Sequence, residues 1–229
     1  MKNKAIIILL SLLTSVFVST THAATCESNA KDEKCAQISV QDKNGKAVAD
    51  MVVYLAPLDG QKLIQSSDVV TVAQQNKAFT PYITVSQIKK TVHFVNQDDI
   101  THHIYSADSD NKFAFKIRAG DEHLVENFTK EAEIAMACNI HDWMSGYLLV
   151  IDTPYFAKTN EKGEAFFAIK ELGNYNVVVW HPQLPTEQHR LFQKQNIIEN
   201  TQLSFTLPKD LENIPTQENS DGFDFDSDY

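Results

Sequence analysis

Between residues 37 and 207 the apolar side chains come in short β-branched and aromatic runs with turn-sized gaps, and no stretch sustains a long 3.6-residue period. Runs at 38–40, 51–55, 82–85, 91–95 and 103–105 read as strands, as do 133–138, 147–151, 165–169, 175–180, 197–198 and 203–207. Asp42-Lys43-Asn44-Gly45 supplies a turn suited to positive backbone angles. A few helical turns are expected only around 69–75. This pattern predicts an all-β chain, a sandwich or barrel, and 229 residues are enough for one large or two small cores.

The N-terminus reads as an export signal over 1–23. Lys2 and Lys4 precede an apolar run over 5–18, and Thr21-His22-Ala23 offers small residues for cleavage. An uncleaved anchor is the competing reading, but the run is shorter than the ~20 apolar residues a span needs. No later stretch is apolar enough to cross a membrane, so a secreted or periplasmic mature chain is expected. The formal charge of −10, more negative once Lys2 and Lys4 are lost, argues against nucleic acid, which needs clustered cations. No carboxylate pair, Ser-His arrangement or phosphate loop suggests an enzyme.

Export makes the three cysteines informative. Cys26 and Cys35, in a polar segment over 24–36, are placed to close a short disulfide loop. Cys138 is different, because an apolar strand ends there and runs into Asn139-Ile140-His141-Asp142-Trp143-Met144. Cys138, His141 and Met144 thus form a Cys-x2-His-x2-Met series between two expected strands. Upstream, His102-His103 adds imidazoles on a neighbouring strand, which is needed because one loop cannot surround an ion. Thiolate, thioether and imidazole together select copper, and zinc rarely takes Met. His93, His123 and His189 read as surface or strand histidines.

The segment Val92-His93-Phe94-Val95-Asn96-Gln97-Asp98, then His102-His103-Ile104, then residues 138–150, resembles the cupredoxins, most closely their plastocyanin and amicyanin branch. The wider frame is similar to plastocyanin-like proteins labelled as methylamine-utilisation proteins. The resemblance implies a Greek-key β-sandwich over 72–152 holding one type 1 copper ion on His102, Cys138, His141 and Met144. The residue after the first ligand is His103 where the family has Asn, and Ile140 and Asp142 stand where amicyanins carry prolines. The resemblance also implies that His141 sits at the solvent edge as the electron port, with Asp142, Trp143 and Ser145 around it. A carboxylate beside that ligand should disfavour electron uptake.

Val40-x-Asp42-x-x-Gly45, Thr159-Asn160-x-x-Gly163-x-Ala165-Phe166 and Gly173-Asn174-Tyr175-Asn176-Val177 resemble pieces of a carboxypeptidase-regulatory or transthyretin-like sandwich, with Asn160 in place of the usual Asp. The expected second small sandwich is therefore split between 37–60 and 153–208, with the copper domain inserted; consecutive domains are the alternative. Trp180-His181-Pro182 reads as a buried Trp closing that sandwich, or else as a second metal or docking site. The tail over 209–229, rich in Asp and Glu, is expected to be disordered, its aromatics offering a docking motif.

The function expected is single-electron transfer between unidentified redox protein partners, with contacts that weaken as salt screens them. Two rivals remain at this point: a copper-delivery module without redox turnover, and a surface-binding sandwich in which copper is incidental.

Overall fold

The computed structural model describes residues 33–218 apart from Ser109 and Asn127. The expected signal segment, Cys26 and the aromatic end of the tail lie outside those residues. The described chain is all β, with a single 3-10 turn at Glu187–His189. Two strands, β1 (Lys34–Gln41) and β2 (Val52–Pro57), come first. Nine follow: β3 (Val70–Gln75), β4 (Ala78–Thr80), β5 (Ile83–Gln87), β6 (Val92–Asn96), β7 (His102–Ser106), β8 (Ala114–Ile117), β9 (Glu122–Val125), β10 (Ala132–Cys138) and β11 (Ser145–Ile151). The last five are β12 (Phe156–Lys158), β13 (Glu164–Ile169), β14 (Gly173–Trp180), β15 (Arg190–Ile197) and β16 (Thr201–Thr206).

Hydrogen bonding sorts these strands into four sheets. Sheets ordered β13-β1-β16 and β12-β2-β14-β15 enclose one core, made of residues such as Ile38, Met51, Leu55, Phe167, Tyr175 and Phe205. Sheets ordered β4-β3-β6-β9 and β5-β11-β10-β7-β8 enclose a second core, around Phe94, Ile104, Ile134, Met136 and Leu148. The strands before residue 60 and after residue 153 thus build one sandwich, and those between build the other. The second sandwich is cupredoxin-like: two facing sheets of mixed pairing, with the ends of β7 and β10 meeting at one pole.

Two turns explain how the first sandwich closes. Asp42 Oδ1 accepts the backbone N–H groups of Asn44 at 2.8 Å and Lys46 at 2.9 Å, and Asn160 Oδ1 does the same for Lys162 and Glu164. Each turn ends in a glycine of positive φ, Gly45 and Gly163. The Gly163 carbonyl accepts the Val40 N–H at 2.8 Å, so the second turn docks directly on β1.

The segment around 69–75, where a few helical turns are expected, instead forms strand β3. Val70, Thr71 and Val72 are stiff at χ1 and suit the pleat, and parallel pairing with β6 satisfies their backbone. The sandwiches meet in a separate apolar seam of Val52, Tyr54, Ile83, Leu149, Ile151, Val178 and Trp180. Trp180 is fully buried there, its ring centroid 6.3 Å from that of Tyr147, rather than exposed as a docking site. Polar ties cross the same seam: Lys158 Nζ donates to the Ile83 carbonyl at 2.8 Å, and Gln183 Nε2 donates to the Tyr82 hydroxyl at 3.0 Å.

The tail also departs from expectation over its first half. Residues 209–218 form no strand but are tied down, the Glu212 N–H to the Gln183 carbonyl and the Gln217 side chain to Ser145. The Ser145 N–H donates to Gln217 Oε1 at 3.2 Å and Gln217 Nε2 donates to Ser145 Oγ at 3.0 Å. Cys35 is disulfide-bonded, and Cys26, its expected partner, lies outside the described residues.

Candidate metal centre

Strand periodicity delivers the site. Along β10, Ile134, Met136 and Cys138 point inward, so the thiol is the last core-facing residue before the chain turns. Along β7 the inward residues are His102, Ile104 and Ser106. Cys138 pairs with Ile104, which sets His102 diagonally beside the thiol on the same face. His103 falls on the opposite face and is only half-buried, paired with Lys116 of β8.

The loop from Asn139 to Met144 then folds back on itself. The Met144 N–H donates to the His141 carbonyl, and the Cys138 N–H donates to the Met144 carbonyl, each at 3.1 Å. The Asn139 N–H is held by the His103 carbonyl at 2.9 Å. These bonds hold His141 over the thiol and leave Met144, fully buried, in the same core cluster as Cys138.

Cys138 Sγ lies 3.8 Å from His102 Nδ1 and 3.7 Å from His141 Nδ1, and the two imidazole centroids are 5.0 Å apart. One donor atom from each of His102, Cys138 and His141 falls within 4.8 Å of the others, and all three side chains are buried. Cys138 is a free thiol. Burial pushes it up, but the His141 ring and the backbone groups of His141, Ile140 and His103 outweigh that and hold it below the ordinary cysteine range. A thiol poised toward thiolate between two buried imidazoles, with no carboxylate among the three donors, suits a soft or borderline ion.

Asp98, which the sequence pattern gives no role, anchors the far edge of the His102 ring. Asp98 Oδ2 stands 2.8 Å from His102 Nε2, on the ring edge away from the thiol. The same carboxylate accepts the backbone N–H groups of Asn76 at 2.6 Å and Lys77 at 3.0 Å. The only cue was its position four residues before His102. Asp142, the carboxylate singled out from sequence, is exposed.

His141 differs from its expected place at the solvent edge. It is only 3% exposed, and the half-buried Trp143 ring packs 5.3 Å from its own. His93, His103 and His123 stand apart from the cluster; His123 stacks on Phe115 at 3.8 Å, and His189 bonds Glu133.

Fold and site together define an all-β chain with a cupredoxin-like sandwich carrying a buried thiol–imidazole cluster at one pole. No family model and no curated protein matches the chain. Among solved structures, part of the chain is similar to a copper-containing nitrite reductase from Thermus scotoductus SA-01, with 25% identity over 42% of this chain and 25% of that one, TM-score 0.35. The chain therefore spans about a quarter of that protein's length. It is similar as well to a purple cupredoxin from Nitrosopumilus maritimus, with 22% identity over 35% of this chain and 98% of that one, TM-score 0.32. An amicyanin variant in its Cu(I) form shares 11% identity over 43% of this chain and 97% of its own, TM-score 0.33.

Proposed function

We propose that this chain is an exported type 1 copper protein of the periplasm that passes single electrons between redox protein partners and performs no chemistry on a substrate. The observation that carries the reading is the convergence of His102 Nδ1, Cys138 Sγ and His141 Nδ1 in one buried cluster, with Met144 buried in the same core as Cys138. Copper held there would supply a one-electron Cu(II)/Cu(I) couple. His102, Cys138, His141 and Met144 are the residues that would hold it.

What the chain itself contributes is rigidity and dryness. The ligands come from strand ends and a loop closed by its own backbone bonds, so a change of oxidation state requires little movement. Burial of all four side chains excludes solvent, which favours electron transfer over chemistry at an open position. Trp143 is the aromatic group against His141 and the natural surface for partner contact. Export is supported by the N-terminal pattern of Lys2, Lys4 and the apolar run, and by the disulfide at Cys35, which suits an oxidising compartment.

Titration of the purified protein with Cu(II) tests the reading. An intense visible thiolate-to-copper band, bleached reversibly by ascorbate and absent from Cys138→Ser, is expected. A colourless complex, or one reduced only slowly, would replace the carrier with a copper-handling role.

A further inference from the structure

We infer that Asp98 is a positioning residue of the metal centre, one that fixes the tautomer of His102 and through that ring biases bound copper toward its oxidised state. The inference rests on the copper reading above and names what tunes that site. His102 has no exposed side-chain surface and the Asp98 side chain is only 10% exposed, so their 2.8 Å contact is shielded from solvent.

Asp98 is fixed at both carboxylate oxygens and at its backbone. Oδ1 takes the Asn76 N–H, Oδ2 takes the Lys77 N–H, and the Asp98 N–H donates to Asn96 Oδ1 at 3.0 Å. Asn76 and Lys77, with φ of 56° and 57°, form the turn between β3 and β4 and present successive donors. Asn96 is locked in turn, its amide donating to the Ile100 carbonyl at 2.7 Å and the Ile117 carbonyl at 3.2 Å. The carboxylate therefore cannot swing away from the ring without breaking several bonds.

A carboxylate accepts and does not donate, so His102 must carry its proton on Nε2, which leaves the Nδ1 lone pair aimed at the thiol. Negative charge behind a ligand ring raises its basicity. The more highly charged Cu(II) gains more from that than Cu(I), because the attraction scales with charge and the site is dry. Asp142 has no such leverage, since solvent screens an exposed carboxylate.

Asp98→Asn in the full chain tests this, since the amide keeps the shape and one acceptor for the β3–β4 turn while losing the charge. Cu(II) affinity by competition, reduction potential by redox titration and the histidine tautomers of the metal-free protein by 15N NMR are measured together. Cu(II) affinity should fall about 10-fold or more, with Cu(I) affinity changing less. If the whole tenfold is selective for Cu(II), the potential rises by about 59 mV. In the metal-free protein His102 should lose its fixed Nε2–H form. A lower melting temperature with unchanged potential and unchanged tautomer would make Asp98 a mere clamp of the turn and overturn the inference. A colourless wild-type complex would instead defeat the copper reading, while the metal-free tautomer shift still decides whether Asp98 positions His102.

Discussion

Trp180 donates its indole N–H to Glu133 Oε2 at 2.9 Å, joining the last residue of β14 to the strand that ends in Cys138. Glu133 also receives His189 Nδ1 at 2.6 Å through its other oxygen. The seam between the sandwiches is thus apolar at its centre and closed by one carboxylate. Trp180→Ala should cost about 3–5 kcal/mol, as a large buried aromatic does. Glu133→Ala should cost about 1–3 kcal/mol, because it strands a buried donor. Urea unfolding of both, with Trp180→Phe as the background for a second Glu133→Ala measurement, checks the link. If Glu133→Ala costs as much beside Phe as beside Trp, the indole bond contributes nothing.

The neighbouring histidines 102 and 103 should separate cleanly. Strand alternation puts His102 against the thiol and His103 on the other face. His102→Gln is expected to abolish the thiolate-to-copper band, and His103→Gln to leave both band and copper stoichiometry unchanged. Visible spectra of the two copper-loaded variants decide it, and loss of the band from the His103 variant alone would reverse the ligand assignment.

Which parts of this architecture were readable in the sequence follows from where each residue sits. β10 and β11 lie inside their sheet with dense apolar patterns, and Cys138, His141 and Met144 share one short loop, so spacing alone grouped them. The strands without a legible pattern, β4, β8, β9, β12 and most of β15, are edge strands, whereas β3, expected as helical turns, lies inside its sheet. These strands bury few residues, and Arg190-Leu191-Phe192-Gln193-Lys194-Gln195 shows little alternation. Asp98 carries no local signal because its role depends on the β3–β4 turn and the approach to β7 meeting in space, which no spacing encodes. Likewise Trp180 reads as buried, but only the contact between sandwiches shows against what.

Gly163 is irreplaceable for two reasons that act together. Its φ of +72° disfavours any side chain, and a Cβ there would sit 2.3 Å from the Val40 carbonyl oxygen, which is backbone and has no room to yield. Gly163→Ala should therefore destabilise by about 2–4 kcal/mol. Gly45, with φ of +82° and open space around it, should lose no more than about 1–2 kcal/mol as Ala, from conformation alone. Parallel denaturant curves rank them, and equal costs would mean that the docking of the second turn on β1 matters little.

His181 is expected to make the fold sensitive to mild acid. The ring is 3% exposed and its Nδ1 accepts the Gln183 N–H at 3.1 Å. Burial pushes it down to about 4, with Asp50 opposing that and Lys158 adding to it. The unfolded chain takes up this proton near the ordinary value of about 6.5, whereas the folded chain resists until pH 4. Protonation thus favours the unfolded state throughout that window, and stability present above pH 6.5 is lost as pH falls toward 4. The full loss from this one group is at most about 3 kcal/mol. Urea unfolding at pH 7, 5.5 and 4.5 should show wild type losing more stability than His181→Gln, which keeps an acceptor without the titration. Carboxylates titrating in both proteins cancel in that difference, so parallel curves across the window would assign the acid sensitivity elsewhere.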